Sequence, residues 1–209
     1  MSQYRYVPLL SEPDRIRLLR LMPHEDETAD IQCELFEYSL RDSDRRNHLY
    51  EALSYVWGKP DKKLPIFIHG HRFYVTVNLR AALSCLRSHS MERMLWVDAI
   101  CIDQANQKEK ERQIQSMAKI YAQANRVIVW LGEKADDSDQ ALEVIRVAAD
   151  DEPTYSSNNE MSQKAIFKLL ERPWFRRIWV RSRRSTISIE ITKTSRPRYS
   201  RKLLQLDVS

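Results

Sequence analysis

Glycine is scarce, with three residues in 209. That excludes a phosphate-cradling Gly-rich loop and argues against a flexible linker. Cysteine is equally sparse: Cys33, Cys85 and Cys101 are odd in number and lack metal-type pairing. They read as reduced thiols in or near a core, with no disulfide framework and no zinc site. Long apolar runs are missing as well. In residues 1–30 Arg15, Arg17 and Arg20 interrupt the leucines, so no stretch has signal-peptide length, and no later stretch is predicted to span a bilayer. The expectation is a soluble, cytoplasmic protein. What is present, 43% hydrophobic and 30% charged residues, suits a globular core. The length accommodates one substantial α/β domain with extensions rather than two full domains.

The net charge of +5 is unevenly placed. Residues 181–209 hold eight Lys or Arg against Glu190 and Asp207, a net +6 that leaves residues 1–180 one unit negative. Basic character therefore belongs to the tail. Without interleaved aromatics, that tail does not support specific nucleic-acid binding.

Apolar patterning predicts the elements. Tyr4 to Leu21 reads as an extended segment and a short strand carrying Ile16, Leu18, Leu19 and Leu21; Ile31, Cys33, Leu35, Phe36 and Tyr38 suggest a second strand. Both are expected to flank the main sheet. Ala52 to Trp57 is a buried strand ended by Gly58 and Pro60, and Ile66–Ile68 with Phe73–Val75 form a hairpin around Gly70. Asn78 can cap a helix whose Leu79, Ala82, Leu83 and Leu86 make one stripe. A strand from Met94 to Ile102 follows. Asp103 and Asn106 then introduce a long charged helix with Ile114, Met117, Ala118 and Tyr121 as its apolar face. A strand at Arg126–Leu131, a helix opened by Ser138, a polar loop at Ser156–Asn159 and a helix at Ser162–Leu170 complete the pattern. This alternation predicts an α/β fold with a mainly parallel sheet flanked by helices on both faces, N-terminal β additions and an irregular basic C-terminal tail. Ligands on such sheets gather beyond the carboxyl ends of the strands. After Val180 the pattern lapses, and Ile187, Ile189 and Ile191 fit one isolated strand or disorder equally well.

Four segments carry a family resemblance: Tyr50-Glu51-Ala52-Leu53-Ser54-Tyr55-Val56-Trp57-Gly58, Leu95-Trp96-Val97-Asp98-Ala99-Ile100-Cys101-Ile102-Asp103-Gln104, Val127-Ile128-Val129-Trp130-Leu131-Gly132, and Arg172-Pro173-Trp174-Phe175-Arg176-Arg177-Ile178-Trp179-Val180. Their order and separation resemble the amino-terminal part of the fungal heterokaryon-incompatibility (HET) domain. Glu111-Arg112-Gln113, Met117 and Ile120-Tyr121 match the same family's helix. The resemblance divides the chain into an N-terminal extension at 1–49, a HET domain at 50–180 and an atypical basic tail at 181–209. It implies a fold distantly similar to Toll/interleukin-receptor (TIR) and flavodoxin-like domains. It also implies a role in non-self recognition, programmed cell death and innate-immunity-like signalling. Because some TIR domains cleave NAD with a glutamate, it further implies NAD as a candidate substrate.

One departure bears on that activity. Where the family motif continues with Gln-Glu after Trp179-Val180, this chain has Ser182 and Arg183. An arginine there would oppose the positive charge that develops as nicotinamide leaves, so cleavage by that route should fail. The abrupt loss of motif and hydrophobic pattern at Arg181 suggests an altered reading frame, a retained intron or a truncated gene. A core missing its last elements is expected to be marginally stable.

Among individual residues, Asp98 is the catalytic candidate. A carboxylate in an apolar strand needs a partner if buried, and binding and structural readings stand level. Tyr55, Trp57, Gly58, Asp103 and Gln104 are the ligand-binding candidates. Aromatic faces at 55 and 57 can stack on a base while Gly58 lets backbone approach. Packing plus a turn is the rival account, and for Asp103 capping or loop hydrogen bonding is favoured. Trp96, Trp130, Trp174 and Trp179 read as core or interface. Glu109, Glu111 and Arg112 read as solvated helix charges, and His69 and His71 as exposed turn residues. Three functions follow: a signalling module acting by self-association or on a protein partner, an NAD-cleaving enzyme, and an inactive or decoy fragment.

Overall fold

A computed structural model describes residues 2–9, 14–41, 48–133, 135, 137–149, 160–176, 187–190 and 203–206. In chain order it contains β1 (Arg15–Leu21), β2 (Gln32–Ser39), β3 (His48–Tyr55), β4 (Lys63–Ile68), β5 (His71–Thr76), α1 (Val77–Leu86), β6 (Arg93–Trp96), α2 (Asp98–Cys101), α3 (Gln107–Gln123), β7 (Ala124–Trp130), α4 (Ser138–Ala149) and α5 (Glu160–Leu170). A 3-10 turn at Pro173–Arg176 follows. Strands β8 (Ile187–Glu190) and β9 (Leu203–Leu206) pair antiparallel with each other. The polar loop expected at Ser156–Asn159 lies outside the described residues.

Seven strands form one sheet in the order β5-β4-β2-β1-β6-β3-β7. The sheet is mixed, not mainly parallel. The β4/β2, β6/β3 and β3/β7 pairs run parallel, while β5/β4, β2/β1 and β1/β6 run antiparallel. The helix-bearing half obeys the crossover logic, since β6, β3 and β7 are parallel and α2 and α3 lie between β6 and β7 in sequence. The antiparallel half comes from the N-terminal residues. These strands do not flank the sheet: β1 is its middle strand, with Ile16, Leu18, Leu19 and Leu21 all at most 2% exposed. The run Ile16–Leu19 is buried on both faces, as an interior strand requires.

The β4/β5 hairpin forms as predicted. His69 (φ 50°) and Gly70 (φ 75°) both take positive φ, the twist that a two-residue turn between paired strands demands. In α1 the predicted stripe Leu79, Ala82, Leu83 and Leu86 is the buried face. Its cap, however, is Thr76, whose hydroxyl accepts from Leu79 N, while Asn78 is used elsewhere. The strand expected at Met94–Ile102 stops at Trp96, and residues 98–101 turn into the one-turn helix α2.

Asn106 caps α3 by accepting from Glu109 N. The face of α3 is rotated from expectation. Glu109, Gln113 and Ile120 are buried, whereas Ile114 is 51% exposed. The cause is a buried partner for Glu109 on β1, described below. At the amino ends of the parallel strands Glu51 of β3 pairs with Arg93 of β6 (2.8 Å) and Arg126 of β7, tying all three strands together. Among the described residues no helix is long and apolar enough to cross a membrane.

Candidate functional site

The carboxyl ends of β3, β6 and β7 meet the four motif segments. Here β3 runs out into Val56, Trp57 and Gly58, with Gly58 at φ 78°. A Cβ on Gly58 would sit 3.2 Å from the Asn78 Cβ, so the residue must be small and left-handed to let the turn lie against α1. Asn78 staples this end of the sheet. Its Nδ2 donates to the Val56 carbonyl (2.5 Å), and its Oδ1 accepts the Trp130 indole N–H (2.9 Å). One amide thereby joins the ends of β3 and β7 to the start of α1, a role that sequence reasoning gave to capping.

Among the described tryptophans of the motif set Trp57 is the partly exposed one, at 42%, against 0%, 5% and 4% for Trp96, Trp130 and Trp174. Its indole N–H donates to Asp98 Oδ2 (3.0 Å). Asp98 Oδ1 accepts from Ala99 N (2.7 Å), and the Asp98 carbonyl accepts from Gln104 Nε2 (2.9 Å). Placed at the start of α2, Asp98 is half-buried with a partner on each carboxylate oxygen. The Gln104 Oε1 is buried without a hydrogen-bond partner among the described residues. Asp103 is a loop residue whose Oδ1 accepts from Ala105 N (3.0 Å). Tyr55 is 2% exposed and belongs to the core, away from the rim that Trp57 forms. The structure thus brings Trp57, Gly58, Asp98 and Gln104 together, sets Asp103 beside them in the following loop and places Tyr55 beneath.

The fourth motif segment docks here too. The buried Trp174 indole donates to Ser54 Oγ of β3 (3.0 Å), and Arg172 donates to the Leu131 carbonyl beyond β7 (3.1 Å). Trp179, Val180, Ser182 and Arg183 lie outside the described residues.

Two further residues position the site, and neither stood out in the sequence. Arg17 of β1 and Glu109 of α3, with side chains 5% and 2% exposed, form a bidentate pair at 2.5 and 3.1 Å. Arg17 also donates to the Cys101 carbonyl (3.2 Å) and the Val7 carbonyl (2.7 Å), and its guanidinium lies 5.0 Å from the Tyr6 ring centre. Glu109 also accepts from Asp103 N (2.8 Å). This buried pair holds the end of α2, the loop bearing Asp103 and Gln104, and the N-terminal segment in one arrangement. The prediction of a solvated Glu109 fails because helical charge patterning cannot show a partner 92 residues away. Below it, burial pushes the Cys101 thiol up to about 12. Cys101 Sγ accepts from Val97 N (3.3 Å), making it a structural thiol. His69 and His71 are exposed as expected, His69 in the turn and His71 as the first residue of β5.

A family model described as heterokaryon incompatibility protein (HET) matches residues 50–181. The curated protein "Heterokaryon incompatibility protein 6, OR allele" of Neurospora crassa is 32% identical over 158 residues, which is 69% of this chain and 23% of that protein. The chain therefore matches less than a quarter of that relative's length. No solved structure matches the chain.

Proposed function

The chain belongs to the heterokaryon-incompatibility family, and on that premise we propose that it acts in fungal non-self recognition and the cell death that follows, by binding a protein partner or a second copy of itself. The observation that carries this reading is Trp57. A large aromatic is held half-exposed, with its N–H anchored to Asp98, so that it joins the first family segment to the second. A rigid, partly exposed tryptophan resting on a buried scaffold has the character of an interface anchor. The test is induced expression in a fungal host, scored for viability, beside sedimentation velocity of the purified chain. Loss of killing and of association on Trp57→Ala, with the fold intact by circular dichroism, supports the reading. Unchanged association and killing would remove Trp57 from it.

A second reading is enzymatic and rests on Asp98 with the buried Gln104 Oε1, which has no hydrogen-bond partner among the described residues. Both lie beyond the carboxyl ends of parallel strands, where α/β sheets bind ligands. Here belong the TIR-like or flavodoxin-like arrangement, with helices on both sheet faces, and NAD as substrate. Arg183 in place of the family glutamate predicts an impaired enzyme, and a chain impaired in this way would act as a decoy for full-length relatives. NAD turnover by this chain, compared with a Ser182→Gln, Arg183→Glu variant, decides the point. Turnover in the variant alone supports an enzymatic family role. Turnover in neither folded protein rejects it.

A further inference from the structure

At the opposite side of the sheet, strand β2 has neighbours of unequal length. It pairs with β1 from Cys33 to Ser39, but with β4 at Gln32 and Cys33. The hydrogen bonds from Phe67 N to Ile31 O (2.8 Å) and from His69 N to Cys33 O (3.0 Å) show which backbone groups face β4: those of the odd-numbered residues. Past Cys33 the chain turns away at His69-Gly70, and β2 continues without that neighbour. The His69 imidazole fills the first vacated position. Its Nε2 lies 3.0 Å from Leu35 N and 2.8 Å from Leu35 O, so it accepts from the one or donates to the other according to its tautomer. The next outward-facing backbone belongs to Glu37, and among the described residues nothing bonds it from that side. A cavity of about 870 Å³ opens there, walled by residues 2–5 and 7–9 and by Leu35, Glu37, His69 and His71.

This corner already accepts extended chain. Gln3 bridges to Arg72 on the outer edge of β5, with Tyr4 N donating to Arg72 O (2.9 Å) and Arg72 N donating to Ser2 O (3.0 Å). The charges lining the cavity are unequal. Arg17 is neutralised by Glu109, and Glu37 lies 3.6 Å from Arg15, but Arg5 is exposed and has no ion pair among the described residues. Among the described residues, Arg5 without an ion pair therefore stands beside the strand edge, together with His69 on Leu35 and His71, whose Nδ1 lies 2.7 Å from Ser2 Oγ.

We propose that the free edge of β2 around Glu37, with its adjoining cavity, receives an extended acidic peptide segment of a partner protein as an added strand. Main-chain bonds to Glu37 supply affinity, and Arg5 with His69 and His71 selects acidic side chains. Rotation of His69 away from Leu35 lengthens the available edge. This surface is separate from the Trp57 rim, so its failure would leave the preceding reading standing.

The probe is a blocked, fluorescein-labelled hexapeptide alternating valine and glutamate, titrated with the full chain at pH 7 and followed by anisotropy; its valine-lysine counterpart is the control. Binding of the acidic peptide is expected to be at least about tenfold tighter than of the basic one. Glu37→Pro removes the outward N–H from an edge where proline is tolerated, and should weaken binding about tenfold. Glu37→Ala keeps that N–H and should stay within about threefold of the parent. In the unaltered chain, amide exchange at Glu37 should slow when the acidic peptide is added, a readout independent of any variant's folding. Equal binding of the two peptides, no binding of either, or an unchanged Glu37 amide overturns the proposal.

Discussion

Removing one member of the Arg17/Glu109 pair should be among the most damaging single changes in the described part of the molecule. Glu109 accepts from both Arg17 nitrogens and from Asp103 N, and its side chain is 2% exposed. Glu109→Ala leaves a guanidinium that is 5% exposed facing only neutral acceptors and the Tyr6 ring. Uncompensated burial of one charge of such a pair costs about 3–5 kcal/mol. At the entropy of unfolding of a chain this long, that is a fall in Tm of roughly 6–20 °C. The paired substitution Arg17→Met with Glu109→Leu removes both charges while filling similar volume, so it should recover most of the loss. Urea unfolding followed by tryptophan emission and far-UV circular dichroism reads all three variants. A Glu109→Ala loss below about 1 kcal/mol, or a double variant no more stable than the single one, would refute the reasoning that the pair is desolvated and coupled.

Asn78→Ala leaves the Val56 carbonyl and the buried Trp130 N–H without their partner, and should cost about 2–4 kcal/mol in urea unfolding, whereas a mere capping residue would cost about 1. Cys33 and Cys101, both pushed up to about 12 by burial, keep their protons in the native chain where an unfolded thiol near 9 loses its own. Stability from these two groups is therefore complete below pH 9 and is lost as pH rises toward 12, which pH-dependent unfolding should show; neither thiol should react with iodoacetamide at pH 8 before the chain unfolds. A fragment of residues 50–181, the span of the family match, lacks β1 and β2 and so loses the strands that join β4 to β6. The four buried aliphatics of β1 contribute roughly 6–12 kcal/mol, comparable to the whole stability of a domain, so this fragment should show no cooperative unfolding transition while residues 1–181 do.

Local signals were legible where one short segment decides the outcome. The β4/β5 hairpin needed a left-handed turn and Gly70 supplied it, and the α1 stripe needed spacing alone. Parallel β6, β3 and β7 followed from strand and helix alternation. What was not legible was how two N-terminal strands enter that sheet. Connection handedness constrains parallel crossovers, but antiparallel β1 can pair at any free edge its length allows, and here it joins β2 to β6 and becomes central. Likewise Val97-Asp98-Ala99-Ile100-Cys101 is apolar enough for a strand, and a backbone turn closed by Ile100 N and Cys101 N on Val97 O makes it a helix instead.

At the candidate site the structure places the motif residues Trp57, Gly58, Asp98 and Gln104 as neighbours. Their supports were not legible, because each support is a polar residue with an ordinary local reading. Asn78 sits where a cap belongs, Glu109 sits among solvated helix charges, and Arg17 interrupts a leucine run as a surface residue would. A sequence window cannot distinguish a cation that interrupts a strand because it faces water from one that interrupts it because a carboxylate waits on the other side of the core. For Arg17 the discriminating fact is that its flanking residues on both sides, Ile16, Leu18 and Leu19, are apolar: a strand with no exposed face must bury its charge, and a buried arginine requires an acid and several carbonyls. That reasoning identifies an interior strand before any partner is known. It also explains why the N-terminal segment and the loop bearing Asp103 and Gln104 are fixed by the same guanidinium: a cation buried at the centre of the sheet must take its acceptors from whichever segments close over it.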